Sequence, residues 1–127
     1  ATECVDFVNQ TERKNVKVML DTYHMNMEED DMSEAILSTK GLLGHFHVGE
    51  NNRRLPSQGT IMDWKKIGQS LKEINYNDAF VMEPFVLMGG KVGSDIKIWR
   101  DLSNQATEEM MDLQAKESLA FLKKIFD

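Results

Sequence analysis

Three short apolar runs in this 127-residue chain each lead into a side chain that can hold a metal ion. "VKVML" runs into Asp21, "GHFH" ends on His47, and "AFVM" runs into Glu83. Two carboxylates and an imidazole make a mixed oxygen and nitrogen set, suited to Mn²⁺, Mg²⁺ or Co²⁺ more than to a thiolate-rich zinc site. The residues lie far apart in the chain, so only a fold that gathers strand ends makes them one site. Each also has an ordinary reading. A carboxylate such as Asp21 at a strand end is often a helix cap or a turn residue. His45 and His47 project to the same side of a strand, because side chains alternate. One is then the ligand and the other packs or supports it, and His47 is favoured because it is nearer the strand's C-terminal end. Glu83 follows "AFVM" and precedes Pro84, which predicts partial burial, and buried carboxylates are normally paired or metal-bound. His24 and Arg53 follow the first two runs by a few residues. Either could be a surface loop residue, yet both also suit orienting the hydroxyl groups of a polar substrate.

The elements that must position these groups alternate between helix and strand. A helix is predicted over 3–13, with Cys4, Phe7 and Val8 on one face. "VKVML" (16–20) is short, β-branched and bounded by Asn15 and Asp21, as a buried strand is. The acidic "MEEDDMSEAILSTKG" reads as a solvated loop entering a helix near 31–39 that stops at Gly41. A second strand follows at 43–48, then a loop in "NNRRLPSQGT". Trp64, Ile67, Leu71 and Ile74 are spaced 3, 4 and 3 apart, one stripe of a helix, with Asp63 as its N-cap. "AFVME" (79–83) is the third strand, ended by Pro84. A short helix is expected around 95–101 after the glycine-rich "MGGKVGSD". The last helix carries Met111, Ala115, Leu119, Leu122 and Phe126, and its acidic start and basic end complement the helix dipole.

This order predicts an α/β fold with a parallel sheet covered by helices. No dinucleotide glycine fingerprint or phosphate loop follows any strand, which disfavours a Rossmann reading. A β/α barrel places its catalytic groups at the C-terminal ends of its strands, which is where Asp21, His47 and Glu83 fall. A complete barrel needs eight strands and about 250 residues. Three strands make an incomplete barrel, and the chain opens inside a helix, so residues 1–127 are expected to be a single partial domain.

Composition narrows the function. The net charge is −6, with no basic block to neutralise phosphates, which argues against a nucleic-acid partner. No apolar run approaches the ~18 residues of a membrane span, and the polar opening "ATECVDFVNQTER" does not read as a secretory signal. The single cysteine, Cys4, excludes an internal disulfide and fits a reducing cytoplasm; it is expected as a small buried thiol on a helix. Most of the nine methionines, Met110 and Met111 among them, are expected to be core filler.

"VKVMLDTYHMNMEEDD", "LLGHFHVGENNR", "VMEPFV" and "GGKVGSDIKIWRDLS" together resemble the D-tagatose 3-epimerase/D-psicose (allulose) 3-epimerase family of xylose-isomerase-like barrels, over roughly residues 1–103. The resemblance implies a divalent metal, Mn²⁺ first with Co²⁺ or Mg²⁺ as alternatives, held by Glu, Asp, His and Glu. Asp21, His47 and Glu83 match three of these ligands. His24 and Arg53 match the family's substrate-contacting histidine and arginine, and Glu50 and His45 become supporting groups. The implied reaction is epimerisation at C3 of a free ketohexose through a cis-enediolate, with two glutamates exchanging the proton and Glu83 one of them. The first glutamate belongs on a strand before "VKVML", and Glu3, Asp6 and Glu12 lie on a helix that cannot replace it. The chain therefore resembles the C-terminal half of such an isomerase and is expected to need the other half. The alternatives are a non-catalytic, self-associating fragment, or another metal-dependent member of the superfamily such as an inosose dehydratase-like enzyme or an endonuclease. The acidic charge and "HFHVGENNR" speak against the endonuclease. The expected partners are a small ketose and, because half a barrel exposes strand edges and an apolar face, further copies of the chain.

Overall fold

The computed structural model describes residues 1–126. Its elements are α1 (Thr2–Thr11), β1 (Val18–Asp21), α2 (Thr22–Glu28), α3 (Met32–Ser38), β2 (Leu43–Val48), α4 (Trp64–Glu73), β3 (Phe80–Met82), α5 (Gly90–Asp95) and α6 (Glu108–Phe126). The three strands are parallel and lie in chain order, β1-β2-β3, and among the described residues the sheet does not close. This is the incomplete α/β arrangement that the strand and helix pattern predicts.

Alternation along each strand gives the sheet two faces. Val18, Leu20, Phe46 and Val48 are buried in the core, with Phe80 and Met82 half-buried against it. Met19, Asp21, His45, His47 and Val81 fall on the other face, where Met19 is 51% and Val81 36% exposed. The register slips once: Val18 pairs with Leu43 but Met19 pairs with His45, so Gly44 is an extra residue. That bulge breaks the alternation. It lets Leu43 share the core with Phe46 while both histidines stay on the open face.

The helices that cover the core side follow their sequence signals closely. In α4, Trp64, Ile67 and Leu71 are buried, with Ile74 buried at its C-cap. Each such side chain contributes about 1.5–3 kcal/mol through lost apolar exposure. The Asp63 carboxylate accepts the Lys66 N–H at 3.0 Å, and Asp31 caps α3 in the same way through Ser33 and Glu34. α3 packs on α4 and α4 on α6. Gly68 sits at the second contact, where a Cβ would come within 3.0 Å of the Ile125 carbonyl oxygen. Phe126 stacks on Phe80 with ring centroids 4.3 Å apart, tying α6 to β3.

Several expectations are corrected. Cys4 is exposed, as is Phe7 at 65%, so α1 buries only Val8. Met110 is 51% exposed and Leu119 46%, because α6 meets the core along Ser118 and Leu122, with Met111, Ala115 and Phe126 half-buried. The acidic stretch expected as loop is helical at its start: Met27 and Glu28 close α2, which is capped by Asp21. The short helix predicted around 95–101 lies earlier, at Gly90–Asp95. It ends in a Schellman turn, with Ile98 N–H to the Gly93 carbonyl at 2.8 Å and Lys97 N–H to that of Ser94 at 3.3 Å. Lys97 takes the left-handed position (φ 61°) where glycine is usual, so nothing in the sequence marks the stop. No helix is long and apolar enough to cross a membrane among the described residues.

Candidate metal centre

The register of the sheet brings the three candidate ligands together. Asp21, the last residue of β1, pairs with His47 of β2, and His47 pairs with Val81 of β3. Glu83 lies two residues beyond Val81 and so falls on the same face as Asp21 and His47. One donor atom from each lies within 4.8 Å of the others. His47 Nδ1 is 3.5 Å from Asp21 Oδ2 and 3.8 Å from Glu83 Oε2. That nitrogen is buried and has no hydrogen-bond partner. A buried polar atom without a partner needs an explanation. Here two carboxylate oxygens face it, too far away to bond well but close enough for all three donors to share one cation. The donor set and the unpaired nitrogen therefore fit a divalent metal, without identifying which.

Asp21 shows how one carboxylate serves two purposes. Its Oδ1 accepts the Tyr23 N–H at 2.8 Å and caps α2, leaving Oδ2 turned to His47. The helix-cap reading and the ligand reading are thus compatible. Glu83 departs from its expected burial: its side chain is 47% exposed, because β3 is the sheet edge among the described residues and nothing lies beyond it. His45 sits behind His47, edge-on at 4.9 Å between ring centroids, outside the group of three donors.

The two expected substrate contacts line different cavities. His24, on α2, lines a groove beside β1 with Met19, Asp21 and Met25. Arg53 lies in the turn after β2 with φ 62° and lines a cleft of about 180 Å³ with Tyr23, Asn52, Ile98 and Trp99. Its guanidinium carbon stands 3.9 Å from the centroid of the Tyr23 ring and 5.5 Å from that of Phe85. Cation–π contact on both rings limits where the arginine can point. The same Tyr23 ring meets His24 edge-on at 5.1 Å. Tyr23 and Phe85 were not singled out from the sequence; their adjacency to Asp21–His24 and to Glu83–Pro84 was the available signal.

Glu50 supports the loop rather than the ligands. It is fully buried, and its Oε1 accepts the Trp64 indole N–H at 2.9 Å and the Ser57 N–H at 3.0 Å. Its Oε2 has no partner and lies where a Cβ on residue 59 would come within 2.3 Å, so a side chain in place of Gly59 would have to displace this buried carboxylate. These bonds hold the 50–59 loop, and Arg53 with it, against the start of α4.

The comparisons with known proteins agree with this geometry. The sequence model of the family described as "Xylose isomerase-like TIM barrel" matches residues 1–125. The chain is 53% identical to the D-psicose 3-epimerase of Ruminiclostridium cellulolyticum, over all of this chain and 43% of that protein. It is 55% identical to the D-psicose 3-epimerase of Agrobacterium fabrum, over 95% of this chain and 42% of that one. A crystal structure of D-psicose 3-epimerase in the presence of D-fructose superposes with a TM-score of 0.95 at 53% identity, covering 98% of this chain and 43% of its own. A structure of L-ribulose 3-epimerase gives 0.84 at 31% identity, covering 98% of this chain and 41% of its own. The chain thus spans less than half the length of the relatives it matches. With three parallel strands in chain order, their ends bearing the donors, and a family match over nearly every residue, this chain belongs to the xylose isomerase-like TIM barrel family.

Proposed function

We propose that residues 1–127 form a single partial domain, the C-terminal portion of a barrel, and supply most of the metal and substrate site of a ketose 3-epimerase. The observation that carries this reading is the convergence of Asp21, His47 and Glu83 at the ends of neighbouring parallel strands. The names of the relatives support the reaction class and a free ketohexose, such as D-psicose or D-fructose, as substrate. Mn²⁺ is the proposed ion, with Co²⁺ or Mg²⁺ as alternatives, and a fourth ligand, a glutamate, comes from outside these 127 residues. A bound divalent ion would supply Lewis-acid polarisation of the ketose carbonyl.

The chain's own residues do the rest. Glu83 removes the proton at C3, which is acidic because it lies α to the C2 carbonyl, and returns it in the reverse direction. Its half-exposed carboxylate leaves room for a sugar to approach while one oxygen stays turned to His47. Arg53, held against Tyr23, and His24 bind and orient the sugar hydroxyls. The second proton-transferring carboxylate acts from the opposite face of the sugar and lies outside this chain. The single cysteine and acidic charge support a cytoplasmic protein that does not bind nucleic acid.

The test is interconversion of D-psicose and D-fructose with Mn²⁺, by this chain alone and with the remaining part of a relative's barrel co-expressed. Turnover is expected only in the complemented protein, and Glu83→Gln lowers its kcat by about 10²–10⁴-fold. Full activity of Glu83→Gln would remove Glu83 from the chemistry. Failure of every complemented pair would favour the second reading, a self-associating fragment without activity, which the exposed Met19 and Val81 and the open sheet edges support.

A further inference from the structure

We infer that Thr22 is a positioning residue for the metal centre, a side-chain clamp that sets the distance between Asp21 and His47. The inference rests on the metal reading of that site. The backbone ladder between β1 and β2 ends at the Asp21–His47 pair. Beyond it the two chains part: Thr22 begins α2, and Gly49 is the first residue past β2. At that point the Thr22 hydroxyl replaces the missing rung. Its Oγ1 donates to the Gly49 carbonyl at 2.7 Å and accepts the Gly49 N–H at 2.9 Å. Both hydrogen-bonding functions of one residue are thereby tied to the residue next to Asp21, across a chain separation of 27 residues.

Thr22 is 0% exposed, so water cannot take over either bond if the hydroxyl is lost. The last rung of a strand pair frays most readily, and here that rung carries two of the three donors. The clamp lies one residue beyond Asp21 and two beyond His47, which places its constraint on the ligands rather than on the hydrophobic core. Past Glu83 the tie is a single backbone bond, the Phe85 N–H to the Arg53 carbonyl at 3.0 Å, and Glu83 is the exposed member of the group. The metal site is thus preorganised on its Asp21–His47 side and open on its Glu83 side.

Thr22→Val removes both hydrogen bonds at nearly constant volume, Thr22→Ser keeps them, and Thr22→Cys keeps only weak ones. Mn²⁺ binding to the chain, complemented with the remaining part of a relative's barrel, is followed by the electron paramagnetic resonance of the free ion, and coordination by the visible absorption of Co²⁺. Thermal unfolding without metal is recorded alongside. Thr22→Val is expected to weaken Mn²⁺ by about 10- to 100-fold, as the loss of a group supporting a ligand typically does. Its Co²⁺ bands are expected to change, while Thr22→Ser behaves as the parent and Thr22→Cys falls between. A purely structural threonine would lower the unfolding temperature and leave the Co²⁺ spectrum unaltered. If Thr22→Val does not fold, the comparison of Thr22→Cys with Thr22→Ser decides. Parent-like Mn²⁺ affinity and Co²⁺ spectrum in the folded Val or Cys variant would overturn the clamp. A complemented parent barrel that takes up no Mn²⁺ would instead overturn the metal reading, and the clamp's functional role with it.

Discussion

At the scale of single residues, two buried acceptors with unmet capacity have different meanings. His47 Nδ1 lacks a partner in the middle of a donor cluster, and Glu50 Oε2 lacks one against a glycine in a loop. The first is read as a ligand atom, the second as a consequence of packing a carboxylate into a tight turn. Glu50→Ala would leave the Trp64 indole N–H and the Ser57 N–H without their charged acceptor. Hydrogen bonds to a charged group contribute about 1.5–3 kcal/mol each, so a loss of roughly 3 kcal/mol in urea unfolding is expected. A Glu50→Ala chain as stable as the parent would mean that the loop is held by other contacts. Asp21, His47 and Glu83 were legible as candidates because each ends an apolar run. The exposure of Glu83 was not legible, because burial at a sheet edge depends on what lies beside the strand rather than on its own neighbours in sequence.

At the scale of elements, legibility followed the strength of local chemistry. α4 was readable to the residue, since an Asp cap and a four-member apolar stripe agree with each other and with the core. α1 was carried two residues too far and α5 was placed too late, and both stops were hidden in one way: Glu12 and Lys97 occupy the left-handed position at which a helix stops, and neither is glycine or asparagine. The loop ahead of β3 carries a pH-dependent contact. Tyr76 packs against Phe46 and Phe80 and donates its hydroxyl to the Ala79 carbonyl at 2.7 Å. Burial, with a smaller contribution from Asp78, pushes its pKa up to about 12 from the usual 10. A raised pKa means that the folded state keeps the proton longer, so this stability is fully present below pH 10. It is lost as pH climbs from about 10 through about 12. Thermal unfolding is therefore expected to fall over that window, and Tyr76→Phe is expected to flatten the fall. An unchanged slope in Tyr76→Phe would assign the alkaline loss elsewhere.

At the scale of the whole molecule, the sheet has one face packed by helices and one face carrying Met19, Asp21, His45, His47 and Val81 toward the open. In a closed barrel that face is the interior, filled by layers of side chains from alternate strands. The chain matches only 43% of the length of its D-psicose 3-epimerase relative, which accounts for an interior face seen from outside. Strand order and the parallel direction could be anticipated from the βα alternation. The bulge at Gly44, which turns Leu43 into the core beside Phe46, could not, since it depends on the pairing of β1 with β2. These strand ends are proposed to form one divalent-metal site. The most direct measurement is a crystal structure of the complemented barrel grown with Mn²⁺, using the ion's anomalous scattering to locate it. A single strong anomalous peak bonded to Asp21, His47 Nδ1 and Glu83 is expected. A map with Mn²⁺ elsewhere, or with none between those three side chains at saturating ion, would contradict it.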